Sequence, residues 1–364
     1  MVSIENLEAS LRRLSNWPNR NSNGPHISEV AQWLREEFAQ TEGTTVTEIP
    51  VPLPVGPRVP VEIDAPQILA VRTGTHPELS ENLVVMSAHF DSLSMVDKLN
   101  GAAPGANDDG CGIAALLEAH RILATESWPR TLVFAAFSAE EQGLLGAKGI
   151  ANRAREENWQ IDAVLNNDMI GNSVDDLGRR EAAAVRIFSE ESPSHRSREL
   201  ARWANWMLSM EMPDYELRLV LRPDRMGRGG DHTPFNREGF TAVRFTECNE
   251  AYSRQHTEAD TVEAMDLGYL AKNVEVNVRI LRHLLAAEPA PTVVHIDRAQ
   301  GYGTGLSWSG NAYRRYRVYW RRTTSAFWEG SEEVTGCEWT SPDLSKDEWE
   351  FAVGAVDGIP VPAT

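Results

Sequence analysis

The chain has 364 residues, 41% of them hydrophobic and 24% charged, with 20 Pro and 26 Gly. This composition excludes a disordered, collagenous or small disulfide-stapled protein, and the length suits one large α/β domain with a smaller appendage. Net charge is −18, from 35 Lys and Arg against 53 Asp and Glu, a field that argues against a nucleic-acid partner.

No run approaches the ~20 consecutive apolar residues of a membrane span. The three cysteines, Cys111, Cys248 and Cys337, are far apart and odd in number. They supply neither a disulfide framework nor a thiolate metal site, and are expected to be free small hydrophobes.

The N-terminus, with Ile4, Leu7, Leu11 and Leu14 at helical spacing, has no basic segment followed by an apolar one. The chain as it stands is therefore expected in the cytoplasm, with the periplasm or secretion as the alternative for a trimmed chain. A second helix follows at HISEVAQWLREEFAQ, with Ser28 expected as its N-cap and Val30, Trp33, Leu34 and Phe38 on one face. Prolines crowd the stretch from Pro50 to Pro60, which predicts a loop or an extended edge.

From there strands and helices alternate. Leu83–Ala88, Thr131–Phe137 and Ala163–Asn167 are short apolar strands, and Cys111–Leu123 and Leu144–Glu157 are helices. Arg198–Met210, the strand Thr241–Thr246 and the helix Leu267–Ala286 continue the pattern. Strands this apolar on both faces predict an α/β fold, a mostly parallel central sheet with helices on both sides.

At AAEPAPT the patterning changes. Short strands are expected at Thr292–Ile296, Gly305–Ser309, Tyr313–Trp320 and Trp349–Val356, alternating with period 2. A boundary near Pro289–Pro291 divides residues 1–288 from a small all-β sandwich over 292–364. The tryptophans of that part are expected in its core.

Five segments carry metal-ligand residue types at strand ends or in loops. SAHFDS supplies His89 and Asp91, PGANDDGCG supplies Asp108 and Asp109, and FSAEEQGLLG supplies Glu140 and Glu141. LNNDMIG supplies Asp168, and SRQHTEAD supplies His256. In an open α/β sheet ligands bind beyond the carboxyl ends of the strands, so these side chains should converge. Two imidazoles and three carboxylates cannot share a crevice unpaired, and a pair of divalent cations would cancel the charge. Imidazole with carboxylate, without thiolate, suits zinc in a catalytic site that keeps a position open for water. One of two adjacent glutamates can face the metal while the other remains free for proton transfer.

These segments, in this order over Ser3 to Ala287, resemble the co-catalytic zinc exopeptidases, which include bacterial leucyl aminopeptidases, glutamate carboxypeptidase II and glutaminyl cyclases. The resemblance implies two zinc ions, one held by His89, Asp109 and Asp168, the other by Asp109, Glu141 and His256, with Asp109 bridging. It implies Glu140 as general base and Asp91 as the carboxylate that orients His89. The peptide after the bridging Asp is often cis in that family, which would make it Asp109–Gly110. Asp231 and His232, behind Gly227, Gly229 and Gly230, stand where the family has a wall of the substrate pocket. Asp108 is expected to be a helix cap.

Asp260 is expected to brace its loop. Glu247 and Glu250 could receive a substrate amine, but a solvated acidic loop is the simpler account. YRVYWRR and DEWEFAVGAVDG resemble a fibronectin type III module. The function this implies is removal of N-terminal residues from peptides. A carboxypeptidase would need a cation for the substrate carboxylate, for which Arg225, Arg228 and Arg244 are candidates. A glutaminyl cyclase would need only one zinc, and an inactive binding protein would keep the fold alone.

Overall fold

The computed structural model describes residues 1–225, 228–299 and 301–364. It contains helices α1 (Ile4–Ser15) and α2 (Ile27–Ala39), then strands β1 (Thr45–Leu53), β2 (Ile63–Arg72) and β3 (Asn82–His89). Next come α3 (Cys111–Leu123), β4 (Thr131–Phe137), α4 (Leu145–Glu156), β5 (Gln160–Asn167) and β6 (Ala184–Phe188). Then follow α5 (Ser197–Glu211), β7 (Glu216–Val220), α6 (His232–Arg237), β8 (Ala242–Glu247) and α7 (Leu267–Ala286). The C-terminal strands are β9 (Val294–Ile296), β10 (Thr304–Trp308), β11 (Arg315–Arg322), β12 (Gly330–Thr335), β13 (Glu338–Ser341), β14 (Trp349–Ala355) and β15 (Val361–Pro362).

Eight strands form one mixed sheet in the order β1-β2-β4-β3-β5-β8-β6-β7. The central run β4-β3-β5-β8 is parallel, and β1, β2 and the β6–β8 pairing are antiparallel. Strand β4 is buried along its whole length, as a two-faced apolar run requires. Helices α1, α2, α3, α5 and α7 cover one face of the sheet, and α4 and α6 cover the other. Helix α3 is apolar nearly all round and correspondingly buried between sheet and helices.

Local chemistry sets the helix starts. Ser3 accepts the N–H of Asn6 at 3.2 Å and Asp266 that of Tyr269 at 3.0 Å, capping α1 and α7. The expectation for α2 needs correction: its N-cap is His26, with no side-chain cap, and Ser28 lies inside the first turn. The proline-rich stretch begins as the extended edge strand β1, where Pro50 and Pro52 are tolerated because only β2 pairs with it.

The C-terminal part forms two antiparallel sheets, β13-β10-β9 and β12-β11-β14-β15. Trp308 and Trp339 lie in the core between them. Tyr319, Trp328, Ala352 and Ile359 instead join the main core beneath the large sheet. No helix among the described residues is long and apolar enough to cross a membrane.

Candidate metal centre

The register of the parallel strands brings the chemistry together. His89 ends β3 opposite Phe137 at the end of β4, and Ser87 pairs with Asn166 near the end of β5. His89, Glu140, Glu141 and Asp168 therefore emerge on one edge of the sheet, as the strand-end rule predicts.

The adjacent acids Asp108 and Asp109 divide the work differently from the expectation. Asp108 lies between the two histidines, with Oδ1 3.2 Å from His89 Nε2 and Oδ2 3.1 Å from His256 Nε2. His89 Nε2 is also 3.9 Å from Asp168 Oδ1, and His256 Nε2 is 3.2 Å from Glu141 Oε1. Two potential metal trios result, His89–Asp108–Asp168 and Asp108–Glu141–His256, with ligand atoms in each within 4.8 Å of one another.

Asp109 turns away and accepts the backbone N–H groups of His89, Gly112 and Met169 at 3.2, 3.1 and 3.1 Å. The shared position thus belongs to Asp108, and Asp109 is the residue that caps α3 and ties β3 to the loop after β5. Gly112 permits this, since a Cβ there would lie 2.4 Å from Asp109 Oδ2. The cis peptide also falls one residue earlier than expected, at Asp108–Asp109.

Supporting carboxylates surround the trios. The Nδ1 of His89 is 3.1 Å from the Asp91 carbonyl oxygen and 3.5 Å from Asp91 Oδ1. The same Asp91 carboxylate accepts the N–H groups of Glu140 and Glu141, both at 3.2 Å, and so fixes where these two acids leave the chain. Asp260 accepts the N–H groups of Asn107 and Asp108 at 2.9 and 3.0 Å, so its carboxylate braces the Asp108 loop and not, as expected, its own. His256 has a left-handed backbone, φ 58°, and its carbonyl accepts the Met95 N–H at 3.0 Å.

Burial opposes the charge on Asp108, but His256 and His89 beside it outweigh burial and hold its carboxyl well below the usual range. Burial likewise opposes the His256 cation, yet Asp108 and Glu141 push it up to about 11. Burial lifts Glu141 to about 7, and Asp108 adds to the rise. Asp108 and the two histidines thus favour each other's charged forms, a charge compensation that a pair of divalent cations would take over. The donor set fits zinc: imidazole nitrogens and carboxylate oxygens converge, and the buried Glu141 Oε1 has no well-aligned donor.

Asp231 and His232 are both buried at the start of α6, and among the described residues neither oxygen of Asp231 finds a hydrogen-bond donor. Burial pushes Asp231 up to about 8 and His232 down to about 3. Gly230 lies against Arg244 and Asp168, whereas Gly227 is outside the described residues. Glu247 and Glu250 are not solvated: they are 0% and 6% exposed. Glu250 pairs with Arg186 and Arg228. Arg244 is buried against Asp168 Oδ2 at 3.1 Å and Asp224 at 3.4 Å. Arg225 stacks on Tyr252, its guanidinium 5.4 Å from the ring centroid.

A mixed sheet with a histidine–carboxylate crevice at its parallel strand ends defines a metallohydrolase of the zinc exopeptidase fold. Comparison gives the family. Residues 68–281 match the model of peptidase family M28, and the chain belongs to that family. A protein of Leptosphaeria maculans described as a probable zinc metalloprotease is 31% identical over 98% of this chain and 92% of its own length.

Among solved structures, a zinc aminopeptidase from Bacillus subtilis superimposes with TM-score 0.63 at 14% identity, over 79% of this chain and 96% of that one. A glutaminyl cyclase from Porphyromonas gingivalis gives 0.61 at 17% identity, over 77% of this chain and 98% of that one. At such identities these two likenesses speak for the fold alone.

Proposed function

We propose that this chain is a two-zinc aminopeptidase in which His89, Asp108 and Asp168 would hold one ion and Asp108, Glu141 and His256 the other. The observation that carries this reading is that Asp108 presents one carboxylate oxygen to each histidine. Zinc, when bound, supplies an acidified water and polarisation of the scissile carbonyl. Glu140, held by its N–H to Asp91 but without a direct partner in either trio, takes the proton from the attacking water and returns it to the departing amine nitrogen. Asp91 holds the His89 ring so that Nε2 faces the cluster.

Asp231, with no donor among the described residues, offers an acceptor oxygen for a substrate's free ammonium, whose charge would favour the ionised carboxylate. Arg228 and Arg244, by contrast, are engaged by Glu250, Asp168 and Asp224, which disfavours a role in binding a substrate carboxylate. Names of similar proteins support the same class, since they include a zinc aminopeptidase and a probable zinc metalloprotease. We read residues 1–288 as the peptidase domain and 292–364 as a fibronectin type III-like module, in keeping with the three- and four-stranded sheets at that end.

The test is hydrolysis of peptides by zinc-loaded protein, each offered with a free or acetylated N-terminus and a free or amidated C-terminus. Cleavage that requires the free amine and ignores the amide is expected. Cleavage that requires the free carboxylate would move the protein to the carboxypeptidase branch, and conversion of N-terminal Gln without cleavage would make it a cyclase.

A further inference from the structure

Glu247 is a fully buried carboxylate at the end of β8 that the proposed chemistry does not use. Its backbone is fixed on two sides: its N–H donates to the Met169 carbonyl at 2.8 Å, and its carbonyl accepts Arg186 Nη2 at 2.6 Å. The side chain is buried, and its hydrogen-bond partners among the described residues are all donors. Asn107 Nδ2 reaches Oε1 and Oε2 at 3.0 and 3.1 Å, and the N–H of Asn172 reaches Oε2 at 2.8 Å.

Asn107 immediately precedes Asp108, and Asn172 closes the loop that begins with Asp168. Because a carboxylate only accepts, Glu247 fixes which end of the Asn107 amide faces it. Asn107 Oδ1 is thereby left to accept the Gly171 N–H at 3.1 Å. One buried acid thus sets two hydrogen bonds that join the Asp108 loop to the Asp168 loop. Asp260 braces the Asp108 side of this seam, and Asp109, itself on that side, crosses it once more by accepting the Met169 N–H.

We propose that Glu247 is a positioning residue for the metal centre: through the side chains of Asn107 and the backbone of Asn172 it holds the Asp108 and Asp168 carboxylates at the separation that one zinc needs. The inference rests on the two-zinc reading. Outer partners of this kind are worth about 10–100-fold in metal affinity.

The test is calorimetric zinc titration of the metal-stripped full chain. Glu247→Gln is isosteric but sets an amide NH₂ against donors, so it is expected to fold with an unchanged circular dichroism spectrum. Zinc affinity at the His89–Asp108–Asp168 site should fall by at least about tenfold. Adding Asn107→Asp to that variant restores an acceptor opposite the new donor, and should recover zinc binding to within about threefold of wild type. That reciprocal rescue is one that a merely space-filling role would not show.

Unchanged zinc affinity in folded Glu247→Gln overturns the inference, and so does failure of the double variant to recover. If Glu247→Gln does not fold, Asn107→Ala decides, since it removes the half-buried partner and leaves Glu247 paired with Asn172. Tenfold weaker zinc binding supports the inference and wild-type binding overturns it. A wild-type chain that takes up only one zinc overturns the two-metal reading separately, and the same comparisons are then made on that one ion.

Discussion

Asp108 and Asp109 are consecutive in the chain and both buried, yet their carboxylates serve opposite sides of the same loop: Asp108 faces two histidines and Asp109 three backbone N–H groups. The two positions therefore fail differently. Asp108→Asn is expected to weaken zinc binding by more than the ~100-fold that outer partners cost, and to abolish turnover with it. Asp109→Asn should lose about 1–3 kcal/mol of stability, because one end of the new amide faces N–H donors, and should weaken zinc binding by no more than the ~100-fold of an outer partner. Zinc content and urea unfolding of the two variants distinguish these outcomes.

Glu140 enters neither metal trio, and its backbone is held independently by Asp91. Glu140→Gln should keep the full zinc content and lose about 10²–10⁴ in kcat, the usual worth of a general base. Peptide hydrolysis alongside metal analysis reads both quantities. Near-normal turnover in that variant would remove Glu140 from the role of base.

His120 gives the fold an acid-sensitive point far from the proposed chemistry. Its ring lies between Phe38 and Phe134, with centroids 5.2 Å from each, and its Nε2 is 2.9 Å from Thr44 Oγ1. Burial first, and Arg72 second, push its pKa down from 6.5 to about 4. The folded state then binds fewer protons than the unfolded state, so stability is fully present above pH 6.5 and is lost as pH falls toward 4. The loss from this group is on the order of 3 kcal/mol. His120→Gln removes the titration, and its midpoint of unfolding should fall less steeply than that of wild type between pH 6.5 and 4.

The C-terminal sheets are bound to the peptidase core by apolar and polar contacts together. Trp328 is buried in that core beside Tyr319, whose ring stands edge-on to Trp206 at 6.3 Å. Arg202 and Arg196 donate to the carbonyls of Ala326 and Ile359, both at 3.0 Å. Trp328→Ala is expected to cost about 3–5 kcal/mol, the range for truncating a buried aromatic. With zinc saturating, kcat should be unchanged, because none of these residues reaches the metal centre. Thermal unfolding and steady-state kinetics on the same preparation check both halves.

The core of the sheet was legible because β3, β4 and β5 each carry a short apolar run, and metal-ligand types follow at their ends. His89, Asp168 and the Glu140–Glu141 pair emerged on that basis, whereas His256 lies in a loop and the choice of Glu141 over Glu140 came from the family resemblance. The choice between Asp108 and Asp109 did not emerge, since two adjacent acids carry no spacing signal and only the backbone turn decides which faces the histidines. Strands β6 and β7 were missed: each has five residues, and the arginines Arg186 and Arg218 interrupt their apolar pattern. Strand β1 was legible in part: Pro50–Pro60 read as a loop or an extended edge, and the edge strand Thr45–Leu53 takes in the first of those prolines.

Glu247 and Glu250 read as solvated because charge in a loop usually is. Glu247 nonetheless occupies the same place as the ligands, at the carboxyl end of a parallel strand, and that position was the available signal. Asp91, read as the partner of His89, proves also to anchor Glu140 and Glu141, a backbone role that no motif announces.

The most direct test of the central claim is anomalous diffraction at the zinc edge from crystals of the zinc-loaded protein. Two peaks about 3.5–4 Å apart are expected, one beside His89 and Asp168 and one beside Glu141 and His256, with the Asp108 carboxylate between them. A single peak, or two peaks sharing a carboxylate other than Asp108, would contradict that claim.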